Sequence, residues 1–359
     1  MHLTIGAQEA AHAEIVRSAV AHAIGREPPP VRVHSAPEPL EYRTRARLYG
    51  RSERGRVRIG YRAAGSHALA VVETCSVLAK ALASVLRELP EVLSGSTGDG
   101  DVQVGLGASG RLVVDVVWRG DLGKNAWAAI DQKIAAGLWA GARVCLSGVK
   151  KPAVFGDPRP VVEGADGAPL VVAVGSFAQS SDRGAALLAR RVAFLGRSDA
   201  DLDRDADDST ISLGSVVELF AGSGTLSVLL ARQSSGFVGV EADEESTRAA
   251  QQNFATRGLV GKFVATDADT FVIPAKTSVV VLDPPRSGAP GATSAIVASR
   301  VDRVVYVACD PATLARDLGV LVRAGFALTH LETVELFPQT SHVETIARLV
   351  RVRGLKRAV

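Results

Sequence analysis

Cysteine is scarce, with three residues in 359, at positions 75, 145 and 309. So few cannot build a disulfide framework, and a reducing cytoplasm is the expected compartment. Long apolar runs are missing as well, so no segment reads as a membrane span. The opening "MHLTIGAQEAAHAEIV" lacks the charged-then-apolar form of a signal peptide. A soluble cytoplasmic protein with no membrane partner is expected. Excess charge is also small, at a formal net +3 with 22% charged residues. The isoelectric point near 8.8 still permits an acidic partner wherever positive charge is concentrated. No internal repeat is evident. What the chain does hold is core material: 47% hydrophobic residues is enough for two domains and argues against dominant disorder.

Positive charge is concentrated in "EYRTRARLYGRSERGRVRIGYR", residues 41–62. This stretch carries Arg43, Arg45, Arg47, Arg51, Arg54, Arg56, Arg58 and Arg62 against two glutamates. Near-alternate spacing would place many of them on one face of a hairpin. Charge of this kind protects edge strands, but the choice of arginine over lysine favours a phosphate-contacting surface, because guanidinium forks onto phosphate.

Three segments follow from the pattern. Residues 1–35 form a helix, with apolar spacing over 7–24, and a stiff linker at "GREPPPVRV", where prolines forbid continuation. Residues 36–175 form an α+β module: a hairpin, a helix over 76–93 started by serine, and strands at "DVQVGLG", "RLVVDVVW", "ARVCLSG" and "PLVVAVG". Cys145, in the third of these, reads as an inert buried residue. Residues 176–359 begin with a helix in "SSDRGAALLARRVAFL", capped by Ser181 or Asp182, and an acidic loop, "GRSDADLDRDADDST". From Ser215 onward, β-branched apolar runs alternate with helical segments, the signature of a parallel sheet covered on both faces.

The chemistry collects at the ends of those strands. "ELFAGSGTLSVLLAR", residues 218–232, is a strand, a loop with Gly222 and Gly224, and a helix. Such a loop either is a tight turn or lets backbone approach a ligand. Glu241 ends the next strand, placed to accept hydrogen bonds from ribose hydroxyls. Ser227 stands where a dinucleotide fingerprint needs a third glycine, which weakens a pyrophosphate reading. Asp267 ends the third strand and either meets an adenine amino group or caps the loop. Asp283, in "VVVLDPPRSG", should face the same crevice, unless Asp-Pro-Pro serves only as a rigid turn. Arg286 stands where amine-directed methyltransferases place a base-stacking aromatic residue, which argues against an exocyclic amine as target. The fifth strand delivers Cys309 in "YVACDPATLARDL". Asp310 as N-cap and Pro311 in the first turn put the sulfur near a helix N-terminus that favours thiolate, so an activated nucleophile is the stronger reading.

In "ELFAGSGTLSVLLA", "VGVEADEESTRAAQQN", "LDPPRSG", "YVACDPATLARDL" and "LFPQTSHVETI", taken in that order, the chain resembles the uridine-C5 RNA methyltransferase family. The match extends upstream to "GSFAQSS" and the arginine-rich hairpin. The resemblance implies a Rossmann-like class I methyltransferase domain over 176–359 with a mostly parallel seven-stranded sheet, preceded by an α+β RNA-binding domain. It implies S-adenosylmethionine as cofactor, held by Gln179, Phe220, Gly222, Gly224, Glu241, Asp267 and Asp283. It also implies that Phe177 and Asp283 contact the RNA substrate, to which the hairpin's charge adds Arg43, Arg45 and Arg47 as expected phosphate contacts. Cys309 then matches the nucleophile that adds to C6 of uracil, and Glu344 the base that removes the C5 proton. The target base must be unpaired or flipped out.

Many members also carry an N-terminal β-barrel module, and some an iron-sulfur cluster on four cysteines. Cys75 matches the fourth ligand and the other three are missing, so no cluster and no metal is expected. On this reading the chain starts just past the cluster segment; either the reading frame begins upstream or the lineage dispensed with it. Asp310 stands where asparagine is frequent and would raise the thiol pKa; Gln339 stands where histidine is common. Cys75 favours ribosomal over transfer RNA, and a monomer is expected. A catalytically weak RNA-binding relative is the alternative reading, and a dinucleotide-dependent oxidoreductase is disfavoured by Ser227 and by the pairing of Cys309 with Glu344.

Overall fold

The computed structural model describes residues 3–204 and 210–352, other than 64 and 67; residues 205–209 of the expected acidic loop lie outside the described residues. The chain forms two compact units. One contains the described residues up to Pro39, Glu163–Ala168 and those from Arg183 onward; the other contains Leu40–Val162 and Pro169–Asp182.

The first unit opens with α1 (Ile5–Ile24). The Thr4 hydroxyl caps it by accepting from the Ala7 N–H, and Gly25, at φ 69°, closes it. Prolines 28–30 then turn the chain into β1 (Val31–His34). The sequence suggests only a linker here, because four residues carry too little pattern to read.

In the second unit, β2 (Arg45–Glu53) and β3 (Arg56–Arg62) form the expected hairpin. It turns on Arg54 and Gly55, both at positive φ, as a two-residue type I′ turn requires. Next come β4 (Leu69–Val71), α2 (Val85–Val92), β5 (Asp99–Leu106), β6 (Leu112–Arg119), α3 (Lys124–Ala135), β7 (Trp139–Leu146) and β8 (Ala153–Gly156). The sheet order is β4-β3-β2-β5-β6-β7-β8, antiparallel except for β6 and β7, which α3 connects in parallel. The helix expected over 76–93 is shorter. The Ser76 and Val77 carbonyls accept from the Glu41 and Arg43 backbone N–H groups, so this stretch forms a turn and an isolated bridge from Leu78 to Arg43. A short 3-10 turn follows at Lys80–Leu82, and the α-helix begins only at Val85. Cys145 is only partly buried, a correction to its expected place in the core. Short strands β9 (Val161–Glu163) and β10 (Pro169–Val171) follow.

The remainder returns to the first unit through α4 (Asp182–Leu195), β11 (Gly214–Leu219), α5 (Ser227–Arg232), β12 (Ser234–Glu241), α6 (Glu244–Ala255), β13 (Lys262–Ala265), β14 (Val279–Leu282), α7 (Pro290–Ala298), β15 (Arg303–Ala308), α8 (Pro311–Arg323), β16 (Phe326–Val334) and β17 (Glu344–Arg351). Strands β11 to β15 pair in parallel, and β17 runs antiparallel between β15 and β16. The expected seven strands are joined by an eighth, since β1 pairs in parallel with β16. Alternation of side chains divides the core. Val217, Leu219, Val280, Leu282, Val304 and Tyr306 face α1, α7 and α8, whereas Val216, Val279, Val281, Val305, Val307 and Ile346 pack with residues of α4, α5 and α6. Two-sided burial is why these strands read as continuous valine-rich runs.

Candidate active site

Strand register assembles the site. Val281, Val305 with Val307, and Ile346 lie on the α4–α6 face of β14, β15 and β17. Two residues beyond Val281 comes Asp283, two beyond Val307 comes Cys309, and two before Ile346 comes Glu344. Because Ala308 pairs with Thr345 across the antiparallel β15–β17 ladder, Cys309 and Glu344 are the next facing positions. On β11, Glu218 pairs with Val281 on one side and with Gly239 of β12 on the other. Glu241, two residues past Gly239, completes the row. Four carboxyl groups and one thiol thus stand at one edge of a single sheet face.

Their surroundings decide their charge. Glu344 is 1% exposed and its Oε1 has no hydrogen-bond partner. Burial, with Asp283 adding to it, pushes its carboxyl well above the usual range. Asp283 keeps some exposed surface, and desolvation still pushes it up to about 7. Glu218, 2% exposed, is pushed up to about 8 by burial, helped by Asp283 and Glu241 and opposed by a 2.6 Å hydrogen bond donated by the Ser227 hydroxyl. Burial also raises the Cys309 thiol; Glu344 and Asp283 add to the rise and Arg286 opposes it. The expected thiolate-favouring effect of the helix N-terminus is therefore outweighed. Asp310 does not supply the opposing charge. Its Oδ1 caps α8, accepting from the Ala312 and Thr313 N–H groups at 3.0 and 2.9 Å. Arg286 Nη2 lies 3.2 Å from His342 Nε2, in the loop that leads to Glu344.

The glycine loop follows β11. Phe220, Gly222 and Gly224 have φ of 61°, 54° and 95°. Glycine supplies this conformation freely, and a Cβ at Gly222 would meet nothing within 4 Å, so the backbone there faces open space. The Gly222 and Asp243 N–H groups donate to the two Glu241 carboxylate oxygens, each at 2.9 Å. Asp267 caps the following 3-10 turn through the Asp269 N–H, and its side chain remains exposed.

The other proposed site residues belong to the second unit. Phe177 is 75% exposed. Gln179 is buried, with Oε1 unpaired. Its carbonyl accepts from Arg45, which also forms a 2.8 Å ion pair with Asp182. Arg45 is thus engaged in holding the 179–182 segment. Arg43 is partly buried beside the Tyr42 ring, whereas Arg47 is exposed and 3.8 Å from Asp101. The Tyr61 hydroxyl lies 3.5 Å from the Cys75 sulfur. Glu218 is missing from the sequence-based set. Its signal was available, since an acid at an inward position of "SVVEL" immediately before a glycine loop has no solvent to face.

Among the described residues no helix is long and apolar enough to cross a membrane. A family model described as tRNA (Uracil-5-)-methyltransferase matches residues 267–352, which include Asp283, Cys309 and Glu344. An uncharacterized RNA methyltransferase of Gloeobacter violaceus is 32% identical, over 94% of this chain and 76% of its own. The 23S rRNA (uracil(1939)-C(5))-methyltransferase RlmD of Edwardsiella ictaluri is 32% identical, over 96% and 77%. Among solved structures, Pyrococcus abyssi tRNA (uracil-54, C5)-methyltransferase, in complex with S-adenosyl-L-homocysteine, shares the fold. Its TM-score is 0.72, with 21% identity over 97% of this chain and 84% of that one.

Proposed function

The chain belongs to the uracil-C5 RNA methyltransferase family, and from that premise we propose that it methylates C5 of a uridine in ribosomal RNA through a covalent Cys309–C6 adduct, with S-adenosylmethionine as methyl donor. The observation that carries this reading is the β15–β17 register, which puts a thiol and a buried carboxyl at facing positions of neighbouring strands. Ribosomal RNA is favoured by the relative named for 23S rRNA, which aligns over nearly the whole chain.

The residues fit the cofactor. Open space at Gly222, a carboxylate at the end of β12 and the exposed Asp267 side chain suit backbone, ribose and adenine contacts respectively. Bound there, the cofactor supplies an electrophilic methyl group. Cys309 thiolate forms an S–C6 bond, and the C5=C6 electron pair moves toward C5 and the C4 carbonyl. Asp283, neutral at pH values below about 7, is able to donate a hydrogen bond to that carbonyl. After methylation Glu344 takes the C5 proton, the pair left behind re-forms C5=C6, and the S–C6 bond breaks to return the thiolate. In the second unit, exposed Phe177 and Arg47 are the residues offered to RNA, as an aromatic surface for a base and a cation for phosphate.

The test is a denaturing gel of Glu344→Gln incubated with S-adenosylmethionine and ribosomal RNA. A protein–RNA adduct that accumulates in this variant, and is absent from Cys309→Ala, supports the mechanism. Methylation at wild-type rate by Cys309→Ala would overturn it.

A further inference from the structure

Glu218 has no part in the steps above, yet it lies on the same sheet face as Asp283 and Glu344. Its Oε2 accepts a hydrogen bond from the Ser227 hydroxyl at 2.6 Å. Glu344 Oε1, equally buried, points at no donor. Among the described residues, the charged and titratable groups that bear on these carboxyls, or on Cys309 beside them, come from the neighbouring strand ends and loops. They are Glu241 from β12, Arg286 from the loop after β14, Cys309 from the end of β15, and His342 through Arg286. Glu241 adds negative charge, and Arg286 is exposed and shared with His342. Two buried carboxylates and a partly buried one, facing so little positive charge, do not ionise together. The rises described for Glu218, Asp283 and Glu344 agree with that geometry.

We propose that Glu218, Asp283 and Glu344 form one proton-sharing group whose charge follows that of the bound cofactor, giving up a proton when the sulfonium form binds and regaining one when it becomes a neutral thioether. This rests on the methyl-donor assignment. The reaction balances on it. The carbon–sulfur bonding pair of the sulfonium stays on sulfur, which loses its positive charge, and the uridine C5–H is lost as a proton to Glu344. The site therefore keeps the same net charge before and after transfer. The group also gives the site a way to tell donor from product by charge alone.

The experiment is isothermal titration calorimetry of the full chain with S-adenosylmethionine and, separately, S-adenosylhomocysteine, at pH 7 in two buffers of different ionisation enthalpy. The expected result is release of about half to one proton with the sulfonium ligand and none with the thioether. Affinity for S-adenosylmethionine should rise by as much as about tenfold per pH unit between pH 6 and 8, as linkage to one proton requires. Glu218→Gln keeps an acceptor for Ser227 and should lose at least half of the released proton. Equal proton counts for the two ligands in the wild-type protein would overturn the proposal without any variant. An unchanged count in Glu218→Gln would remove Glu218 from the group. Failure of either ligand to bind would overturn the methyl-donor assignment, and the proposal with it.

Discussion

Cys309 is a thiol whose ionisation the free protein opposes, so its reactivity must depend on pH and on what enters the site. Burial, Glu344 and Asp283 all raise its pKa. A group raised in this way gains thiolate as pH rises, so adduct formation by Glu344→Gln should accelerate as pH rises toward about 7, where Asp283 still keeps the proton it donates, measured by quench and gel. A flat profile would contradict the assignment. Cys309→Ala should lose methylation by at least about a thousandfold, the scale of a missing nucleophile, while S-adenosylmethionine affinity by calorimetry changes less than about twofold. At this scale the sequence was partly legible. Cys309 and Asp283 could be placed at strand ends because their strands are long valine-rich runs. The meeting of Cys309 with Glu344 rests on an antiparallel register that sequence spacing does not reveal. Asp310 illustrates the limit: the sequence shows a carboxylate beside the thiol, whereas the structure turns that carboxylate onto the helix.

The elements are tied down by polar contacts that the hydrophobic pattern does not show. Glu332 of β16 is buried, and its carboxylate accepts from Arg191 of α4 at 2.7 Å and lies 2.7 Å from His34 of β1. Burial alone would raise its pKa, but His34 and Arg191 together hold it down at about 2. A carboxyl depressed on folding stabilises the protein above its unfolded pKa near 4.5, and that stability is lost as pH falls toward 2. Glu332→Ala should cost up to about 3 kcal/mol at pH 7, because it leaves the partly buried Arg191 guanidinium without its carboxylate. The difference from wild type in urea melts should shrink between pH 4.5 and 2. Asp310→Ala should cost about 1 kcal/mol through loss of the α8 cap, and Asp310→Asn much less. The elements that sequence reasoning missed are those with little signal of their own. Helix α3 buries only Ala126 and Ile130 within the helix and starts without a side-chain cap, and β1 acquires its strand identity from β16.

For the whole molecule, the alternation of apolar runs and helices after Ser215 was enough to read the parallel sheet, because two-sided burial imposes valine-rich strands wherever it occurs. The second unit was harder to read, since its sheet is largely antiparallel with one charged face. Arg47, Arg51, Arg58 and Arg62 there share a face with Asp99 and Asp101. The central claim is that these parts together methylate uridine C5 in ribosomal RNA. Its most direct test is to incubate the protein with methyl-labelled S-adenosylmethionine and separate pools of unmodified ribosomal and transfer RNA, then digest each pool and identify the labelled nucleoside. The account predicts label in 5-methyluridine from the ribosomal pool. Label in any other nucleoside, or in neither pool while S-adenosylmethionine binds, would contradict it.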